Sequence, residues 1–148
     1  MRIRGGAFTL IDESYNANPL SMKAGFLSLG ARPVLPGGRK VVVLTDMLEL
    51  GDQSRALHAG LAESIEAAGI EVVHAAGPQM RHAWEATAPE RRGLWRESAA
   101  DLAAIADELA APNDIIMVKG SNGSRASLVA AALADLERRL EADAMESV

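Results

Sequence analysis

The chain has 148 residues, 49% of them apolar, enough for one domain with a real core and too apolar for a disordered segment. Its net charge of −5 carries no block of like charge, which argues against a nucleic-acid surface. It contains no cysteine, which excludes disulfides and thiolate metal sites and agrees with a reducing compartment. The apolar stretch of MRIRGGAFTLI is too short for a signal peptide, and nothing approaches the roughly 20 apolar residues of a membrane span. A cytoplasmic protein with no membrane and no nucleic-acid partner is expected.

In chain order, Phe8 to Ile11 reads as a first strand, followed by the polar string SYNANP at 14–19. Asn18 then Pro19 is a helix start, an asparagine N-cap with proline at the first helical position. Met22, Phe26 and Leu29 lie on one face of that helix. A loop with Pro33, Pro36, Gly37 and Gly38 leads to KVVVLTD, whose Val41–Leu44 core is the clearest strand. Leu57, Leu61, Ile65 and Ala68 mark a single second helix closed by Gly69. IEVVHAA is a strand, GPQMRHAWEA a short helix and LWRE a brief strand.

Ser98 with Asp101 forms a capping-box pattern opening a helix with Leu102, Ile105 and Leu109 inward. Pro112-Asn113-Asp114 is a turn, and IIMV a strand. The KGSNGSR loop then enters a last helix with Leu128, Val129, Leu133 and Leu136. The tail, 140–148, is expected to fray. Continuous apolar strands alternating with helices predict one domain, 1–148, of α/β class: a three-layer, Rossmann-like arrangement with a mostly parallel sheet covered on both faces.

Ligands of such sheets bind beyond the carboxyl ends of the strands. The polar residues fall there: Asp12 to Asn16, Thr45 to Glu49, His74 with Gly77, and Lys119 to Ser124. SYNANP is therefore expected to be a binding loop on this rim. In KGSNGS, glycines would let the backbone approach an anion, with Lys119 adding charge; the alternative is an ordinary turn with a surface lysine.

Asp46 and Glu49 suit a ligand or Mg²⁺ contact, or are solvated residues capping the next helix. Glu13 suits a ribose, or is a plain loop carboxylate. The spacing of His58, His74 and His82 makes no metal site; His74 and His82 read as structural, and Trp84 and Trp95 as packing. The chain contains neither G-x-x-x-x-G-K-[ST] nor G-x-G-x-x-G after a strand, so neither a P-loop nor a dinucleotide fingerprint is present.

IDESYNANPLSM, VVVLTDMLELG with His58 downstream, and IIMVKGSNGSRAS together resemble the C-terminal domain of the Mur ligase family. Within it they resemble the branch that adds D-alanyl-D-alanine to UDP-N-acetylmuramoyl-tripeptide in peptidoglycan synthesis. The similarity covers residues 8 to 138, with Thr45 standing where this family usually has glycine. The resemblance implies an ATP- and Mg²⁺-dependent amide ligase that works through an acyl phosphate. This chain would be the domain that binds the amine substrate and closes over the nucleotide.

The N-terminal and central ATPase domains would be separate from it, so the chain alone is expected to be inactive and to bind no cofactor tightly. By the same resemblance, Glu13, Tyr15 and Asn16 would face ribose and adenine. Asp46, Lys119, Ser121 and Asn122 would lie near the dipeptide and the acyl phosphate, with Lys119 placed to support the transition state. No metal ligand is expected. The alternative is a stand-alone Rossmann-like module that binds a nucleotide or small anion.

Overall fold

A computed structural model describes residues 2–3 and 6–146, with side chains over 6–136. Five parallel strands make the central sheet: β3 (Thr9–Glu13), β4 (Lys40–Thr45), β5 (Val72–Ala76), β6 (Arg92–Arg96) and β7 (Ile115–Lys119). Their spatial order is β3-β7-β4-β5-β6, every neighbouring pair being parallel. A short antiparallel pair, β1 (Arg2–Ile3) with β2 (Gly6–Ala7), precedes them. Two-residue strands show no periodicity, and the sequence reading does not anticipate this pair.

The strands are apolar on both faces because both faces are covered. Val42, Leu44, Val73, Ala75, Ile115 and Met117 point into one core with Met22, Phe26 and Leu29 of α1 (Pro19–Gly30), Leu61 and Ile65 of α3 (Leu61–Ala67), and Met80 and Ala83 of α4 (Met80–Ala86). Val41, Val43, Ile116 and Val118 point the other way, onto Leu102 of α5 (Ala99–Ala103) and Val129 and Leu133 of α6 (Ala126–Glu146). This is the three-layer arrangement that the alternating elements predict.

Local signals hold in detail. Asn18 caps α1: its side chain accepts the Ser21 N–H at 2.8 Å while Ser21 Oγ accepts the Asn18 N–H at 3.0 Å, with Pro19 at the first helical position. Ser98 Oγ accepts the Asp101 N–H at 3.1 Å and opens α5. Gly69, at φ +72, follows α3 in the left-handed conformation that ends helices.

Three expectations are corrected. The second helix is two, α2 (Ser54–Ala59) and α3, separated at Gly60, where the glycine weakens the helical run. Leu128 is 38% exposed rather than inward, because the buried stripe of α6 runs through Ala126, Val129, Ala130 and Leu133. His74 lies in the middle of β5 and is buried between β6 and Leu109, so it takes no part in the rim. Helix α6 continues in the backbone to Glu146, and 147–148 lie outside the described residues.

The connections position the rim. Helix α1, after β3, and helix α3, after β4, cover one face, whereas α6, after β7, covers the other. Strand β7 lies between β3 and β4, so the chain leaves the sheet on opposite sides on either flank of β7. Two crevices therefore open at the carboxyl ends, and such switch points are where open α/β sheets take ligands.

Candidate functional site

The β3–β7 crevice brings together Glu13, Asn16 and Lys119. Glu13 and Lys119 end their strands in register. Lys119 Nζ donates to Glu13 Oε2 at 3.0 Å and to the Asn16 carbonyl at 3.3 Å. Lys119 is 4% exposed, so it is neither a surface lysine nor a cation held out over the KGSNGS loop. The Glu13 side chain remains 39% exposed.

The neighbouring turn is built locally: Asp12 Oδ1 accepts the Ser14 N–H at 3.0 Å, and Tyr15 Oη donates to the Asp12 carbonyl at 3.2 Å. Ser14 is buried, while the Tyr15 ring is 70% exposed beside the crevice. SYNANP is thus a preformed loop, fixed at one end by Lys119 and at the other by the Asn18 cap.

The β4–β7 crevice is laced by hydroxyls. Thr45 Oγ1 and Ser124 Oγ lie 2.7 Å apart. Ser121 Oγ donates to the Asp46 carbonyl at 3.0 Å and accepts the Ser124 N–H at 3.1 Å. Gly120 is required by this contact: a Cβ there would stand 1.8 Å from Thr45 Oγ1. Close approach of backbone to protein, rather than to a ligand, therefore accounts for this glycine.

The Asp46 carboxylate is 8% exposed and accepts the N–H groups of Met80 at 2.7 Å and Gln79 at 3.3 Å. It satisfies the first turn of α4, not of the next helix in sequence. Gly77 makes room for it, since a Cβ there would meet Asp46 Oδ1 at 2.3 Å. Glu49 and Asn122 are exposed.

A cleft of about 320 Å³ opens beside these residues, lined by Asp46, Leu48, Gly77, Ser98, Gly123, Ser124, Arg125 and Leu128 among others. The exposure of Leu128 is explained by its place in this wall. Sequence reasoning placed Ser124 on the rim without a role and missed Arg125; the two serines spaced as Ser121 and Ser124 were the available signal for a side-chain-capped turn.

His58 is fully buried and fixes the 46–50 loop from below. Its Nε2 accepts the Met47 N–H at 3.0 Å, and its Nδ1–H donates to the Ser54 carbonyl at 2.7 Å. Those partners require the neutral ring, and burial pushes its pKa below the usual histidine value. Trp84 and Trp95 pack against the core, with Arg92 and Arg81 over their rings at 5.4 and 4.8 Å. Among the described residues, no group of three or more His, Asp or Glu side chains is placed to hold a metal ion. No helix among them is long and apolar enough to cross a membrane.

A sequence model of the family described as "Mur ligase, glutamate ligase domain" matches residues 1–122. The chain belongs to this Mur ligase domain family. A Mycobacterium tuberculosis protein named UDP-N-acetylmuramoyl-tripeptide–D-alanyl-D-alanine ligase is 35% identical over 150 residues, 88% of this chain and 29% of the relative. The Escherichia coli protein of the same name is 44% identical over 70 residues, 47% of this chain and 15% of the relative. The Thermotoga maritima MurF ligase, solved in complex with ADP, superposes with a TM-score of 0.71 at 22% identity, over 94% of this chain and 30% of that one.

The Mur ligase domain described here therefore spans less than a third of the relatives it matches. Its fold matches that of the Thermotoga structure, and its rim segments are the ones on which the sequence resemblance rests.

Proposed function

We propose that this Mur ligase domain is the amine-substrate-binding, nucleotide-closing part of the cytoplasmic ligase that joins D-alanyl-D-alanine to UDP-N-acetylmuramoyl-tripeptide. The observation that carries the reading is the 35% identity, over 88% of the chain, to a relative bearing that name. In that reaction a carboxylate activated by phosphoryl transfer from ATP is captured by the dipeptide amine.

The residues at the β3–β7 crevice fit one edge of a nucleotide. Glu13, with its side chain 39% exposed, can accept from a ribose hydroxyl. The 70%-exposed Tyr15 ring offers a face to a base, and Asn16 lies beside it. Asp46 lines the cleft at the other crevice, and Ser121 and Asn122 precede Gly123 and Ser124 of its wall, the side assigned to the amine substrate. There the Asp46 carboxylate holds α4 in place, and Ser121 holds the loop that forms the wall. The phosphates and Mg²⁺ would be held by parts of the ligase beyond this chain, whose sequence has no P-loop.

The full ligase polypeptide carrying this domain is expected to form the amide from ATP, Mg²⁺, the tripeptide substrate and D-alanyl-D-alanine. Absence of the amide product overturns the reading. The 148-residue chain alone is expected to release no phosphate above background under the same conditions. Release at a rate comparable to the full ligase would show that the domain is self-sufficient.

Each ligand would touch only part of its site on the isolated domain, so its affinity for ATP or D-alanyl-D-alanine is expected to be on the order of millimolar or weaker. Titration calorimetry checks this. Micromolar binding would favour the stand-alone binding module instead.

A further inference from the structure

We infer that Lys119 is a positioning residue for the nucleotide-facing segment 13–16, acting through Glu13 and the Asn16 carbonyl, and does not act on the dipeptide or the transferring group. The inference rests on the proposed role of that segment and moves Lys119 from one crevice to the other.

Three observations carry it. The ammonium is already committed, 3.0 Å from Glu13 Oε2 and 3.3 Å from the Asn16 carbonyl oxygen. The direction of the side chain is fixed by packing: its methylenes run beneath α1, where a Cβ on Gly25 would lie 3.0 Å from Lys119 Cδ and 3.3 Å from Cε. The residue is also 4% exposed, so a ligand reaching the ammonium would have to displace both partners and open the contact with α1.

A buried ammonium is tolerated because it is paired, and freeing it would leave an uncompensated charge. In its present place it joins the ends of two neighbouring strands and the loop beyond them. That holds Glu13 in one orientation and fixes the backbone next to Tyr15. Preordering a binding loop in this way lowers the entropy lost when a ligand is bound.

Tyr15 is the only tyrosine of the chain, so incorporation of 3-fluorotyrosine gives a single ¹⁹F reporter on the segment. Lys119→Met keeps the methylene packing against Gly25 and removes the charge, while the partly exposed Glu13 can be rehydrated. This variant is expected to fold and to shift or broaden the Tyr15 resonance. Asp114→Asn, at the opposite end of the sheet, is expected to lower stability and leave that resonance in place. In this way a local effect is separated from general weakening.

In the full ligase, Lys119→Met is expected to raise the KM for ATP about tenfold, the worth of one well-placed hydrogen bond, without changing the KM for D-alanyl-D-alanine. Adding Lys119→Met to Glu13→Ala is expected to raise the KM for ATP further by less than Lys119→Met does in the wild type, because the lysine acts partly through the carboxylate and otherwise through the Asn16 carbonyl. An unchanged Tyr15 resonance in Lys119→Met overturns the inference. So does a raised dipeptide KM or a reduced kcat with the KM for ATP unchanged. If the wild-type ligase gives no turnover, the functional reading fails, and the ¹⁹F comparison still decides whether Lys119 positions the segment.

Discussion

Replacement of Asp114 by alanine is expected to destabilise the domain by about 3–5 kcal/mol, the cost of removing one partner from a buried ion pair. Asp114 is 1% exposed and stands just before β7, at the end of the sheet away from the rim. Its carboxylate accepts four N–H groups: Arg39 N at 3.0 Å, Arg39 Nε at 3.1 Å, Arg39 Nη2 at 2.7 Å and Ala111 N at 2.8 Å. The bond to Asp114 also raises the Arg39 pKa above its ordinary value.

Alanine would leave the backbone N–H groups of Arg39 and Ala111 without this acceptor, each worth about 1–3 kcal/mol if it stays dry. The guanidinium, with its side chain 38% exposed, can recover some hydration, which pulls the expected loss toward the lower end. Asp114→Asn retains one acceptor oxygen and is expected to cost less. Urea unfolding of the three proteins measures this. A loss below about 1 kcal/mol for the alanine variant would show that the cluster is not a strut of the sheet.

The parts of this architecture that were legible in sequence are those set by near neighbours. The continuous runs at 41–44 and 115–118 demanded a sheet covered twice, and Asn18-Pro19 announced the start of a helix whatever lay around it. What escaped depends on which strands become neighbours. Asp114 and Arg39 are 75 residues apart, and no local pattern couples them.

Lys119 and Glu13 meet only because β7 inserts between β3 and β4, an order that alternation of elements does not specify. Read locally, the lysine followed a strand and preceded glycines, which made it an anion ligand or a surface residue; the packing makes it a buried tie. Asp46 was likewise placed correctly on the rim, but its partners come from Gln79 and Met80. The gap at Gly60 lies within the uncertainty that a lone glycine always leaves in a helical pattern.

His74 is expected to make the domain acid-labile, by roughly 3 kcal/mol between pH 7 and pH 4. The ring is 4% exposed and occupies an irregularity between β5 and β6, where one residue of β5 faces two of β6. Its Nδ1 accepts the Leu94 N–H at 2.9 Å, and its Nε2–H donates to the Leu109 carbonyl at 3.2 Å. A Cβ on Gly93 would stand 2.3 Å from Nδ1, so the ring packs directly against a position that only glycine can fill.

Protonation would therefore place a second N–H against the Leu94 N–H in a dry site. Burial is the main reason the pKa falls from 6.5 to about 4; the Leu109 carbonyl opposes the shift, nearby Arg39 adds to it, and Asp114 partly offsets it. Because the unfolded chain binds the proton more readily, the contribution is complete above pH 6.5 and is lost as the pH falls toward 4.

His74→Gln does not titrate in this range and keeps both a donor and an acceptor. The test is the difference in unfolding free energy between wild type and His74→Gln, followed from pH 7 to pH 4 by urea denaturation. Carboxylates and His58 contribute equally to both proteins and cancel. The wild type is expected to lose ground steadily relative to the variant below pH 6.5, and parallel pH profiles would show that the neutral imidazole is not what holds the β5–β6 irregularity together.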